Sequence, residues 1–213
     1  PGCANSASIN VNVGYPVAIT ALNDMCVGEP DQVLTIAPHA GTGTWVITFT
    51  PDVGAPSTVS YPEGDPNAKL VAGVPGNYSV EYVLTVATCT NNTIVTCRVN
   101  SLPPLDFTIG AFNQSDGGIN FCNNNGTILL VPNPGGGSFS STPVGLVSAA
   151  SFNTATVAGV NPYPFEFKIN YNYTDPVTGC SSSLTSNKIT INAAPVVSIT
   201  GLASSYCKDA GPI

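Results

Sequence analysis

The chain has 213 residues, of which only 8% are charged and 43% are hydrophobic, and its formal net charge is −7. A disordered chain is poor in hydrophobic residues and rich in charge, so this composition predicts a folded protein. The scarcity of Lys and Arg argues against a nucleic-acid partner, and apolar runs broken every few residues by Gly, Pro, Asn, Ser or Thr exclude a membrane-spanning helix.

The cysteine content indicates where the protein works. The chain contains seven Cys and one Met, and cysteines are retained as crosslinks in oxidising compartments. We therefore expect an extracellular or cell-surface location.

Short alternating segments recur along the chain, and they predict β-strands. Each places apolar residues on one face and Ser, Thr, Asn or a charge on the other. No stretch of twelve residues shows apolar spacing at 3.6, and 21 Gly with 19 Pro interrupt every candidate helix. The sequence therefore predicts an all-β protein. The clearest strand segments are residues 8–13, 78–83, 165–171 and 188–191.

Three sequence features repeat in the same order and indicate internal repeats. A proline leads into a strand, at residues 16–22, 103–109 and 195–202. An apolar residue plus Cys opens a polar turn, at Met25-Cys26, Phe121-Cys122 and Tyr206-Cys207. A small residue plus Cys follows an aromatic strand, at Gly2-Cys3, Thr88-Cys89 and Gly179-Cys180.

The spacing of these features sets the domain organisation. Pro16, Pro104 and Pro195 are 88 and 91 residues apart, which is the size of one β-sandwich domain. We expect complete repeats at residues 16–103 and 104–194. Residues 1–15 are interpreted as the last strand of a preceding repeat, and residues 195–213 as the first strand of a following one.

The repeat predicts a cysteine pairing, although sequence alone does not prove connectivity. Cys26 is expected to pair with Cys89, and Cys122 with Cys180, each bond contributing roughly 4 kcal/mol in the chain-entropy model. Cys3 and Cys207 would pair outward, with cysteines outside this sequence.

Cys97 has no partner in this scheme. With residues 90–93 as a turn, a Cys89–Cys97 hairpin bridge is the main competing connectivity.

No catalytic or cofactor site is evident, and we predict that the protein is not an enzyme, with no cofactor and no metal site. The one His, His39, lies among Pro, Ala and Gly, where a solvated loop is expected, and no Cys-x-x-Cys pair suggests a metal. The run Gly135-Gly136-Gly137 lacks the lysine and helix of a phosphate-binding loop. Trp45 and Phe139 follow Gly-rich turns and are expected to anchor a core, the alternative being exposed sugar-stacking platforms.

These motifs carry a family resemblance. Residues 121–191 combine an aromatic-Cys turn, Pro-Gly-Gly-Gly-x-Phe, a late aromatic strand and Gly-Cys before a Ser-rich turn. The order resembles the cysteine-bearing immunoglobulin-like repeats of large secreted adhesins of Bacteroidota, including gliding-motility adhesins exported by the type IX pathway. Residues 76–80 are similar to the start of a late strand in polycystic-kidney-disease-type (PKD-like) domains. The resemblance implies tandem immunoglobulin-like antiparallel β-sandwich repeats arranged end to end.

Three functions compatible with such repeats are a stalk, a binding module and an assembling subunit. The leading hypothesis is a structural and adhesive segment of a long cell-surface fibre that presents a distal adhesive tip. Its partners would be neighbouring repeats, with surface polysaccharide or the outer-membrane motility and secretion machinery as further candidates. The alternatives are a carbohydrate- or surface-binding module, using aromatics such as Tyr61, Tyr163 or Trp45, and a self-assembling filament subunit.

Overall fold

The computed structural model describes residues 16–158 and 163–200. The predicted strand 8–13, Cys3 and Cys207 lie outside these residues. The chain forms two compact units. Unit 1 contains the described residues up to Pro104 together with Thr174–Ser182, and unit 2 contains Leu105–Tyr173 and the described residues from Ser183 onward.

Unit 1 is built on one five-stranded sheet, and a two-stranded sheet accompanies it. The large sheet has the order β1-β7-β6-β3-β4, and β2 pairs with β5. A single antiparallel bridge joins Ile19 to Ile36. The strands are β1 (Met25–Cys26), β2 (Gln32–Val33), β3 (Thr42–Pro51), β4 (Ser57–Pro62), β5 (Lys69–Leu70), β6 (Gly76–Val86) and β7 (Cys89–Asn100).

The core of unit 1 follows from the two-residue period of its longest strands. In β6, Tyr78, Val80, Tyr82 and Leu84 are buried, while the side chains between them are more exposed. Alternation places these four on one face of the pleat, where they pack with residues such as Leu70. Burial of each large apolar side chain contributes about 1.5–3 kcal/mol.

Unit 2 has two sheets around a second core. One has the order β10-β16-β14-β12, with β15 also paired to β14, and the other has the order β13-β11-β8-β9. The elements are β8 (Asp106–Ile109), β9 (Phe112–Asn113), β10 (Ile119–Cys122), β11 (Thr127–Asn133), β12 (Ser138–Thr142), β13 (Ser151–Asn153), α1 (Thr154–Ala158), β14 (Phe165–Thr174), β15 (Ser181–Thr185) and β16 (Ile189–Asn192).

Both sheets of unit 2 contribute to its core. Phe107 and Ile109 of β8 pack in one cluster with Phe167, Ile169 and other buried residues of the opposite sheet. The short helix α1 begins after Asn153, whose side-chain oxygen accepts hydrogen bonds from the amides of Ala155 and Thr156. Such an N-cap satisfies amides that have no partner inside the helix.

The prediction of an all-β protein is confirmed. Residues 78–83 lie within β6, residues 165–171 within β14, and residues 188–191 overlap β16. The proline-led segments differ from one another, since residues 103–109 end in β8 and residues 16–22 form only the bridge at Ile19. Residues 195–200 contain no strand, and their large apolar side chains are exposed.

Candidate functional site: the cysteines and their surroundings

A disulfide joins Cys26 to Cys180, and both residues belong to unit 1. The Cα atoms are 5.5 Å apart and the sequence separation is 154 residues, a distance that suits an unstrained bridge. Cys89, Cys97 and Cys122 are free. The predicted pairs Cys26–Cys89 and Cys122–Cys180 are therefore wrong.

The Cys26 side of the bond is held by a short parallel ladder and a tight turn. In β1, Met25 and Cys26 align with Val99 and Asn100 of β7. The Val27 amide donates to the Asn100 carbonyl, and the Glu29 amide donates to the Cys26 carbonyl, each at 3.0 Å. These bonds fix the Cys26 backbone, so the position of its sulfur is set by the end of β7.

The Cys180 side lies at the end of a loop between β14 and β15. The Asp175 amide donates to the Cys180 carbonyl at 2.8 Å, and the Gly179 amide donates to the Asp175 carbonyl at 2.8 Å. The carboxylate of Asp175 accepts from the amides of Val177 and Thr178. Gly179 has φ +75°, which favours glycine. Cys180 is fully buried.

Cys122 lies in unit 2 in the same local structure as Cys26 in unit 1. In β10, Phe121 and Cys122 align in parallel with Ile191 and Asn192 of β16. The Asn123 amide donates to the Asn192 carbonyl at 2.9 Å, and the Asn125 amide donates to the Cys122 carbonyl at 3.1 Å. The ladder and turn around Cys26 thus recur around Cys122, whose thiol is free and half-buried.

Cys89 is the first residue of β7 and is exposed. It faces Val86 of β6 across a two-residue turn formed by Ala87 and Thr88. Residues 90–93 are part of β7 instead of the expected turn. Cys89 and Cys97 lie on one strand, about 26 Å apart at ~3.3 Å per residue, so the alternative Cys89–Cys97 bridge is also wrong.

Cys97 is a core residue. It is 6% exposed and aligns with Tyr78 in the β6–β7 ladder. In unit 2 the corresponding pair is Phe167 with Ile189, so Cys97 takes the place of a buried aliphatic residue. Burial raises the pKa of the Cys97 thiol to about 11, with a smaller contribution from Asp24. A thiol that stays protonated is a poor nucleophile.

The His39 side chain is 5% exposed, so the expected solvated loop is wrong for this side chain. Its Nε2 lies 2.7 Å from the Tyr82 hydroxyl, which donates to Glu63 at 2.7 Å. Because the hydroxyl has one proton, Nε2 donates to the phenol oxygen. Burial, and then the Glu63 carboxylate, raises the pKa of Tyr82.

The Gly-rich turns are explained by close approach to a tyrosine. A Cβ at Gly43 would overlap the Tyr82 hydroxyl, and one at Gly137 would lie 2.6 Å from the ring of Tyr171. The Gly137 amide donates to the Tyr171 hydroxyl at 2.9 Å. Glycine is required because a side chain would displace a fully buried ring. Sequence reasoning assigned these glycines to a tight turn and missed their tyrosine partners.

The aromatics after those turns are packed inside. Trp45 is 2% exposed and makes an edge-on contact with Tyr82, with ring centroids 4.6 Å apart. Phe139 contacts Tyr171 at 4.7 Å and packs against the unit 2 core. The prediction that they anchor a core is confirmed, and the sugar-stacking alternative is wrong for Trp45.

A shallow groove on unit 1 fits a ligand-binding alternative. Tyr61 lies in β4 and lines it together with Phe49, Val59 and Lys69. Tyr163, the other aromatic considered for stacking, is 37% exposed and is not part of this groove.

Within residues 16–158 and 163–200, no group of three His, Cys, Asp or Glu is placed to hold a metal ion. In the same part of the chain no helix is long and apolar enough to cross a membrane. Comparison of the chain with protein-family models, with curated proteins and with solved structures finds no match.

Proposed function

We propose that this protein is a structural segment of a long extracellular adhesin or fibre, built from tandem immunoglobulin-like β-sandwich repeats that a disulfide fastens. It would serve as a stalk between a cell surface and a distal adhesive tip. The observation that carries the proposal is the Cys26–Cys180 bond, which spans a sequence separation of 154. A pulling force applied to the ends cannot extend the chain between two bonded cysteines.

The repeat organisation is supported by matching ladders in the two units. Trp45 aligns with Tyr82 in unit 1 as Phe139 aligns with Tyr171 in unit 2. Each tyrosine packs against a glycine that has no room for a side chain. Neighbouring repeats of the same kind are therefore the partners we propose, with surface polysaccharide or outer-membrane machinery at the ends of the fibre.

The Tyr82 cluster supports a structural role over an enzymatic one. Its hydroxyl is hydrogen-bonded to both His39 and Glu63 at the edge of the unit 1 core, where the Glu63 side chain is partly exposed, and burial raises the pKa of Tyr82. A protonated, fully hydrogen-bonded phenol does not act as a base or a nucleophile. The cluster ties the segment before β3 and the turn after β4 to the central strand β6.

Stretching single molecules at constant force tests the stalk proposal. A protein in which Cys3, Cys89, Cys122 and Cys207 are replaced by serine, and which keeps the Cys26–Cys180 bond, is tethered by its termini under oxidising conditions. A thiol reductant is expected to release roughly 500–550 Å of additional length, from a sequence separation of 154 at about 3.3–3.6 Å per residue. Full extension before the reductant is added would overturn the proposal.

The alternative function is a carbohydrate- or surface-binding module, which the groove beside Tyr61 and Lys69 favours. A glycan array probed with the protein is expected to be silent for a stalk. Binding that is lost in Tyr61→Ala and kept in Tyr163→Ala would favour the module. A self-assembling filament subunit would instead show a mass that rises with concentration under reducing conditions.

A further inference from the structure

Two free cysteines occupy positions equivalent to those of the bonded pair. Cys122 corresponds to Cys26, because each is the last residue of a short strand. Cys26 aligns in parallel with Asn100 at the end of β7, and Cys122 aligns in parallel with Asn192 at the end of β16. Cys89 corresponds to Cys180, since Cys89 is the first residue of β7 and Cys180 immediately precedes β15, and both strands follow a late aromatic strand. The bonded cysteines pack together in unit 1. By the predicted repeat boundaries, Cys26 comes from residues 16–103 and Cys180 from the following repeat, residues 104–194.

The Cys122 backbone is prepared for the same bond. The turn after it has the two backbone hydrogen bonds found after Cys26. The Cys122 amide donates to the Asn125 side chain, as the Cys26 amide donates to the Glu29 carboxylate. The thiol is therefore presented from a fixed strand end.

Cys89 is accessible for the complementary role. It is exposed, and its strand β7 is held by antiparallel pairing along the whole length of β6. Its turn has two residues, whereas five residues, 175–179, precede Cys180 in its loop, so the Cys89 thiol lies at the end of the β6–β7 hairpin.

We propose that Cys122 and Cys89 form an inter-repeat disulfide of the Cys26–Cys180 type with a second copy of this chain. Cys122 of one copy bonds Cys89 of the next copy, and repetition gives a head-to-tail covalent polymer. The inference rests on the repeat organisation proposed above. Within a longer fibre the same bond would fasten consecutive repeats to each other.

The chemistry is a two-step thiol–disulfide exchange with a low-molecular-weight disulfide such as oxidised glutathione. One protein thiolate attacks a glutathione sulfur, which breaks the glutathione S–S bond and releases one reduced glutathione. The second protein thiolate then attacks the mixed disulfide and releases the other. Two protein thiols are oxidised to one Sγ–Sγ bond, and the two electrons and two protons leave on the two glutathione molecules.

Cys97 takes no part in this reaction. It is buried in the core of unit 1, and it has no cysteine counterpart in unit 2, where Ile189 stands in its place. It therefore serves as an internal control for reactivity that depends on position.

The experiment incubates the whole protein at high concentration in a glutathione redox buffer and resolves it on a non-reducing gel. The expected result is a ladder of multimers that collapses with reductant, and a Cys89 peptide linked to a Cys122 peptide. Mixing ¹⁴N- and ¹⁵N-labelled chains should give mixed-label crosslinked peptides, which shows that the link joins two molecules.

Single substitutions made in a Cys3→Ser/Cys207→Ser background, which lacks the two cysteines expected to pair outward, sharpen the test. In this background Cys89→Ser alone and Cys122→Ser alone are expected to stay monomeric. A mixture of the two is expected to stop at the dimer, because only one complementary pair remains. Cys97→Val is expected to leave the ladder unchanged. Cys89–Cys89 or Cys122–Cys122 links as the main product, a link within one chain, or the absence of multimers would each overturn the inference.

Failure here is distinguishable from failure of the stalk proposal. The constant-force measurement uses the protein without Cys3, Cys89, Cys122 and Cys207, so its outcome depends on the Cys26–Cys180 bond alone. If the ladder of multimers is absent and the force response is intact, only the proposed disulfide between copies is refuted.

Discussion

Removal of the Cys26–Cys180 bond is expected to destabilise the protein by several kcal/mol. The comparison starts from a protein in which Cys3, Cys89, Cys122 and Cys207 are replaced by serine, so that the thiols that can crosslink copies are absent. Cys26→Ser and Cys180→Ser are then added singly and together. Because Cys180 is fully buried, serine is used, as it keeps nearly the same volume.

The magnitude follows from the size of the closed loop. For a sequence separation of 154, the chain-entropy model gives about 5 kcal/mol at 25 °C, as an upper value. Measured costs of losing a native disulfide run at about 2–5 kcal/mol. The crosslinked unfolded chain is also more compact, so the dependence on denaturant should be shallower with the bond intact than without it.

Denaturant titration followed by Trp45 fluorescence measures this change, since the one tryptophan lies in the core of unit 1. Either single variant should cost as much as the double variant, because one serine already breaks the bond. Costs of Cys26→Ser and Cys180→Ser that add up would refute the pairing. A large loss of stability in the starting protein, relative to the unsubstituted chain, would instead favour the pairs with Cys89 and Cys122 that the sequence predicted.

Three further predictions concern single side chains. Gly43→Ala should destabilise unit 1 by about 3 kcal/mol, because its Cβ would overlap the Tyr82 hydroxyl. The control is Gly135→Ala, whose Cβ would have nothing within 4 Å and which should change the free energy of unfolding by less than about 0.5 kcal/mol. Equal costs for the two substitutions would refute the steric argument. Under native conditions a thiol-reactive dye should label the exposed Cys89 at once and the buried Cys97 only after unfolding, and prompt labelling of both would contradict the core placement. Burial raises the pKa of the Cys97 thiol from 9.0 to about 11, so the folded thiol stays neutral after the unfolded one has ionised. The free energy of unfolding should therefore fall by about 2 kcal/mol as pH rises from about 9 to about 11. Cys97→Val should lack this component in a parallel titration.

The fold class was predictable because strand periodicity is a local property. Buried Tyr78, Val80 and Tyr82 stand at every second position of β6, and the same alternation is visible in the sequence without knowledge of any partner. The proline-led segment at residues 16–22 looks similar, yet it forms only one bridge, between Ile19 and Ile36. Pairing between strands depends on which segment of the chain lies alongside, and the alternation within one segment does not specify its neighbour.

The candidate site was less predictable, because its contacts link residues far apart in the chain. Nothing near His39 in sequence announces a hydrogen bond to Tyr82, 43 residues away. Gly43 reads as part of a turn until the ring packed against it is known. Cys97 had no partner in the predicted disulfide scheme. Its position in the β6–β7 ladder is equivalent to that of Ile189 in unit 2, so it is an ordinary core residue.

The cysteine pairing failed for a reason inherent in repeats. The bonded residues are 154 apart, which exceeds the Cys26-to-Cys89 spacing of 63 by one repeat period of 91. A repeat makes Cys89 and Cys180 equivalent in type, so each meets the sequence criteria for bonding Cys26 equally well. Only spatial proximity decides which repeat supplies the partner cysteine, and here it is the following repeat. The same equivalence leaves Cys89 and Cys122 as complementary halves of one further bond, which is why their free thiols, and not the core thiol of Cys97, are expected to join one copy to the next.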